Sequence, residues 1–211
     1  MKGSVIFDLD GTLWDSTECA VEIWKSVLNI HGIEAVRMDR ETAAGLMGKT
    51  MKETGTALFP GLNDEERSLI IDDYEMREVA YLIRNGAYVY EGVRETLAEL
   101  SKKYLLYIVS NCQDGYVQAF LSAHDMGSFF SDIEMSGRTG LDKAENIRLL
   151  MERNVIDRAL YVGDTEADEV AAHSAGIPFI WAEYGFGSSV EPDAVISSIR
   201  ELPECAAELL K

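Results

Sequence analysis

The sequence predicts an α/β protein: a parallel sheet flanked by helices, with a helical insertion close to its start. Three observations carry this. Short runs that are apolar at consecutive positions recur along the chain, as expected of strands covered on both faces. The stretches between them place apolar residues at i, i+3, i+4 or i+7, the helical spacing. Residues 15 to about 84 break that alternation with helical patterns and no convincing strand.

In chain order, Val5 to Phe7 is the first strand expected. Ala20 to Leu28, Glu41 to Phe59 and Asp64 to Ile83 then read as helices, with turns at Asn29 to Gly32 and at Pro60-Gly61. A helix through Val93, Leu97 and Leu100 leads to a strand at Leu105 to Val109. Val117, Phe120 and Leu121 mark the next helix, and Ile133 to Met135 the next strand. Ile147, Leu150 and Met151 share a helical face before the strand Leu160 to Val162. Ala171 and Ala175, closed by Gly176, suit a tightly packed helix with a glycine stop. Phe179 to Trp181 gives a last strand, and Ser198 to Leu210 a last helix. The expected division is a core of residues 1–14 and 85–211, with residues 15–84 as an inserted helical domain.

Composition narrows the function. Lysine and arginine number 19 against 37 acidic residues, a formal charge of −18 that repels nucleic-acid backbones and anionic membranes. No apolar run reaches the roughly 18 to 20 residues of a membrane-spanning helix. Met1 to Ser4 runs directly into the first strand without a secretory signal, and Cys19, Cys112 and Cys205 have neither disulfide nor zinc spacing. A reducing cytoplasm is the expected compartment. His31, His124 and His173 are scattered without ligand spacing.

In open parallel sheets, ligands bind beyond the carboxyl ends of the strands. Asp8 and Asp10 follow the first strand; Ser110 and Asn111 follow Leu105 to Val109; Gly163, Asp164 and then Asp168 follow Leu160 to Val162. Three strands thus end in small polar or acidic residues that would converge on one rim. Asp8 and Asp10, two apart on extended chain, would share a face, and carboxylates that close repel unless a cation lies between them. With Asp164 and Asp168 they form an all-oxygen donor set of the kind Mg²⁺ prefers. Gly11-Thr12 then turns the chain sharply.

Phe7-Asp8-Leu9-Asp10-Gly11-Thr12-Leu13-Trp14-Asp15-Ser16 resembles the first motif of the haloacid dehalogenase-like phosphohydrolases. Ile108-Val109-Ser110-Asn111 resembles their second motif, Lys143 stands where they carry the third, and Tyr161 to Asp168 resembles the fourth. The order matches, and the resemblance spans the chain. The helical insertion, Tyr90-Glu91-Gly92-Val93 and Tyr184-Gly185-Phe186-Gly187 look most like the phosphoglycolate phosphatase and β-phosphoglucomutase branch. Glu91 and Ala144 depart from it, since proline is usual at both places.

The resemblance implies a Rossmann-like core with a helical cap, and a Mg²⁺-dependent phosphatase acting on a small phosphorylated metabolite. Asp8 would be the nucleophile and Asp10 the acid and base. Asp8, the Asp10 carbonyl and Asp164 would hold the metal, with Asp168 supporting it through water. Ser110, the Asn111 N–H and Lys143 would seat the phosphoryl group. Lys49, in the insertion, would contact an anionic leaving group. Gly48-Lys49-Thr50 imitates a nucleotide-binding loop, but Ala43 stands where that loop requires glycine, and no strand precedes it. A phosphosugar mutase on the same scaffold is the nearest alternative; a phosphoacceptor signalling domain is a further one, against which the insertion and Asp10 count. A dehalogenase would leave Asp10 without a purpose.

Overall fold

The computed structural model describes residues 2–211. Its centre is a six-stranded sheet in the order β5-β4-β1-β6-β7-β8, every neighbouring pair parallel. The strands are β1 (Ser4–Phe7), β4 (Leu105–Ser110), β5 (Phe130–Met135), β6 (Ala159–Gly163), β7 (Phe179–Ala182) and β8 (Ala194–Ile196). A separate antiparallel pair joins β2 (Trp14–Asp15) to β3 (Tyr88–Val89) at the two ends of the insertion.

Between β2 and β3 lie α1 (Thr17–Ile30), α2 (Arg40–Ala44), α3 (Met51–Leu58) and α4 (Asp64–Asn85). The rest of the chain adds α5 (Val93–Leu100), α6 (Tyr116–Ala123), the short α7 (Ser136–Thr139), α8 (Lys143–Arg153), α9 (Glu166–Ala175) and α10 (Leu202–Leu209). No helix is long and apolar enough to cross a membrane among the described residues.

Burial follows the sheet. Val5, Phe7, Leu106, Ile108, Leu160 and Val162 face one buried cluster with α5, α6 and α10, while Ile6, Tyr107, Val109, Tyr161 and Phe179 face a second with α8 and α9. Alternate residues of the same strands thus enter opposite layers, the reason the runs are apolar throughout. A third cluster belongs to the insertion: Ala20, Trp24, Val27, Phe59, Ile70, Ile71 and Tyr74 pack on one another, with Trp24 stacked on Tyr74 at 3.8 Å between ring centroids. Leu82, nearer the end of α4, belongs to the sheet-side cluster instead.

The structure departs from the sequence-based expectation in a few places. The single helix expected over Glu41 to Phe59 is two helices. Gly48 adopts φ +77°, which a continuous helix cannot contain, and Thr50 begins α3 with a capping box to Glu53. The last helix starts at Leu202, after a 3₁₀ turn at Ile199–Glu201. Strands β2, β3 and β8 are too short to give a periodic signal.

Candidate active site

Register brings the rim together. Phe7, the last residue of β1, pairs with Ile108 on one side and Val162 on the other. Asp8 therefore emerges between the ends of β4, carrying Ser110, and β6, followed by Asp164. Asp8, Asp164 and Asp168 are buried, and each offers an oxygen within 4.8 Å of the others.

Lys143 is the cation in their midst. It opens α8 behind the N-cap Asp142, and its side chain is 4% exposed. Its Nζ donates to Asp8 Oδ1 at 2.9 Å and to Asp168 Oδ1 at 2.5 Å. A cation at a helix N-terminus opposes the helix dipole, and here the two carboxylates offset that. Burial alone would lower its pKa, but Asp168 and Asp8 outweigh that and hold it well above the ordinary lysine value.

Asp168 uses both carboxylate oxygens within the fold. While Oδ1 takes Lys143, Oδ2 accepts from the N–H and hydroxyl of Thr165, closing a capping box at the start of α9. Asp164 differs. Its Oδ2 accepts from the Phe186 N–H at 2.7 Å, whereas Oδ1 is buried with no hydrogen-bond partner. Glycines make this crowding possible: a Cβ at Gly11, where φ is +79°, would lie 2.2 Å from Asp164 Oδ2, and one at Gly185 would lie 2.2 Å from Asp164 Cβ.

Three buried carboxylates around one ammonium leave excess negative charge. Burial pushes the Asp8 carboxyl up to about 7, opposed by Lys143. Asp164 is raised as well, through burial and then through Asp168 and Asp8. An orphaned buried carboxylate oxygen, an all-oxygen donor set and uncompensated charge are what a small hard divalent cation would satisfy. The residues present therefore fit Mg²⁺.

The Asp10 carboxylate, expected to share a face with Asp8 in that donor set, is not among the carboxylates brought together, because its oxygen is taken up by neighbouring hydroxyls. Its Oδ1 accepts from Ser16 Oγ at 2.7 Å and from the Tyr116 hydroxyl at 2.8 Å, and burial raises its pKa against those bonds. Ser110 is buried at the end of β4. The Asn111 side chain bridges to the insertion, donating from Nδ2 to the Gly48 carbonyl at 2.8 Å and accepting from Ser136 Oγ at 3.0 Å. A cavity of about 50 Å³ is lined by Asp8, Asp10, Ser110 and Asn111 from the rim and by Lys49 and Glu78 from the insertion. Cys112 lines it too, but burial pushes its thiol up and away from thiolate chemistry.

Several contributors lie outside the motif-bearing positions. Tyr116 begins α6 six residues beyond Ser110, further than a search of strand ends reaches. Glu78 occupies the buried stripe of α4 formed by Ile70, Ile71, Tyr74 and Leu82. An acid at a stripe position was the available signal.

With this geometry in place, the comparisons give the class. The chain belongs to the haloacid dehalogenase-like hydrolases, whose family model matches residues 5–182. It is similar to a protein named phosphoglycolate phosphatase from Vibrio vulnificus strain CMCP6, 28% identical across 94% of this chain and 93% of that protein. Another of the same name, from Photorhabdus laumondii, is 28% identical across 96% and 92%. Among solved structures, a predicted phosphatase from Clostridium acetobutylicum superposes with a TM-score of 0.85 at 26% identity, covering 99% of this chain and all of that one. A haloacid dehalogenase-like hydrolase from Streptococcus pneumoniae shares the fold, with a TM-score of 0.83 at 23% identity over 97% and 98% of the two chains.

Proposed function

We propose that this protein is a Mg²⁺-dependent phosphatase that hydrolyses a small phosphomonoester through an aspartyl-phosphate on Asp8. The observation that carries the reading is the Asp8–Lys143–Asp168 arrangement with the orphaned Asp164 oxygen beside it. A carboxylate attacks a phosphate dianion only where local cations cancel their repulsion. Lys143 supplies one charge, and Asp8, Asp164 and the Asp10 carbonyl, with Asp168 behind them, would hold a metal that supplies the rest. Bound there, Mg²⁺ would neutralise the phosphate oxygens and orient the ester.

This chain's residues divide the reaction between them. Ser110 and the Asn111 N–H seat the phosphoryl oxygens, and the amino end of α6 adds its partial positive charge. An Asp8 oxygen forms the bond to phosphorus as the bond to the leaving oxygen breaks, and Asp10 gives that oxygen its proton. The raised pKa of Asp10 suits the donor role, since more of it is protonated near neutral pH. Asp10, now a carboxylate, takes a proton from water, which attacks phosphorus and releases inorganic phosphate and free Asp8. Residues 15–84 act as a cap, covering the rim through the Asn111–Gly48 bond and excluding bulk water.

The test is phosphate release from an aryl phosphate. Wild-type protein with Mg²⁺ is expected to turn over, and Asp8→Asn to lose turnover while keeping its thermal transition. Wild-type rates in Asp8→Asn, or full activity in excess chelator, contradict the reading.

A further inference from the structure

The machinery proposed above leaves one buried carboxyl of the cavity without a role. Glu78, on α4, is 3% exposed and lines the same cavity as Asp8 and Asp10. The Tyr74 hydroxyl donates to its Oε1, and Gln113 Nε2 donates to its Oε2 at 2.7 Å. Both partners are neutral. No ion pair reaches Glu78 among the described residues, and burial, with Asp10 and Glu75 adding like charge, pushes its carboxyl up to about 7 against the bonds from Tyr74 and Gln113, so it is a carboxylate above that pH. Burying a carboxyl without a cation is costly, and packing alone would favour leucine at a stripe position of α4. A carboxylate accepts about four hydrogen bonds, so two of its lone pairs remain open after Tyr74 and Gln113.

Its setting defines what those lone pairs can take. Tyr74 is clamped by its stack on Trp24, and Gln113 sits in the loop beyond Ser110, so the carboxyl is gripped from the insertion and from the rim together. Lys49, expected from the sequence to contact an anionic leaving group, is the only basic side chain lining the cavity among the described residues, but it is exposed and no ion pair ties it to Glu78, so it does not offset that buried acid. A leaving group bearing a carboxylate would bring a second negative charge to a desolvated acid. A leaving group bearing hydroxyls would instead donate to it.

We propose that Glu78, held by Tyr74 and Gln113, receives the leaving group's hydroxyl, so that the pocket selects a phosphomonoester of a small polyol over one carrying a carboxylate. The inference rests on the phosphatase reading above and specifies its substrate class. It separates this chain from what the name of its relatives suggests, because phosphoglycolate carries a carboxylate on its leaving group.

A matched pair tests it: 2-phosphoglycolate against 2-hydroxyethyl phosphate, of equal length and differing by a carboxylate for a hydroxymethyl group. At pH 8, where Glu78 is a carboxylate, wild-type kcat/KM is expected to favour the hydroxyethyl ester by more than about tenfold, a floor well below the roughly 10⁴-fold by which a site built to bond a hydroxyl rejects its analogue. Glu78→Gln keeps the shape and removes the charge, and should bring the ratio towards one. A merely structural Glu78 would lower both rates together and leave the ratio unchanged, which overturns the proposal. So does wild-type preference for phosphoglycolate, a result that does not depend on any variant folding. An aryl phosphate run in parallel separates the two levels. Its turnover with phosphoglycolate preferred sinks only the polyol assignment, whereas no turnover of any ester sinks the phosphatase reading and this inference with it.

Discussion

Replacing Lys143 with methionine probes the electrostatics of the rim directly, because methionine has similar length and no charge. Lys143 Nζ lies 2.9 Å from Asp8 and 2.5 Å from Asp168, with its side chain 4% exposed. At an effective dielectric of about 20, each attraction is worth ~6–7 kcal/mol before desolvation offsets most of it. Removing one partner of such a buried group costs about 3–5 kcal/mol, since the remaining charges are stranded. For a chain of this size, where 1 kcal/mol moves Tm by about 2–4 °C, a loss of roughly 6 °C or more is expected at pH 8 in chelator. The sign with pH follows from Asp8. Its pKa, already raised to about 7, rises further once Lys143 no longer opposes burial. The folded variant then holds more protons than the unfolded chain from about pH 4 upward, so its stability falls as pH rises through that window. Differential scanning fluorimetry from pH 5 to pH 8 should show the deficit shrinking towards pH 5. A variant as stable as wild type at pH 8, or an equal deficit at both ends, refutes the reasoning.

Gly185→Ala should weaken Mg²⁺ binding more than about tenfold while the fold survives, because the added Cβ would lie 2.2 Å from Asp164 Cβ and must displace that carboxylate; calorimetric titration with Mg²⁺ checks it, and unchanged affinity counts against Asp164 as a ligand. In the wild-type protein, Asp8 and Asp164 both have raised pKa values, so metal-free stability should fall between about pH 4 and pH 7. Mg²⁺ binds the deprotonated carboxylates, and should therefore raise Tm at pH 8 far more than at pH 5; equal shifts at both would argue that it binds elsewhere.

The sheet was legible because its central strands are buried on both faces: Val5 to Phe7 and Leu160 to Val162 are fully buried, and the single polar side-chain group there, the Tyr161 hydroxyl, is satisfied by the Val109 carbonyl. The positions of the candidate site were legible for a related reason, since the polar residues stand at the ends of apolar runs, where a parallel sheet collects them. What was not legible depends on contacts between distant segments. Tyr116 meets Asp10 from 106 positions away, and Gln113 meets Glu78 across 35. Neither pairing has a local pattern. The break between α2 and α3 was hidden because Gly48 is tolerable within a helix by composition, and only its φ of +77° shows that the chain turns there. That turn is also what brings the Gly48 carbonyl to Asn111.

The central claim is that the Asp8 carboxylate itself takes the phosphoryl group. Asp10→Asn, acid-quenched during turnover of an aryl phosphate with Mg²⁺, offers the most direct view of it: the aryl leaving group needs no proton, while the water that frees Asp8 lacks its base. Peptide mass spectrometry is expected to find one phosphoryl group on the segment Phe7 to Leu13, located on Asp8. Phosphate released with that segment unmodified, or the phosphoryl group found on another residue, contradicts the account.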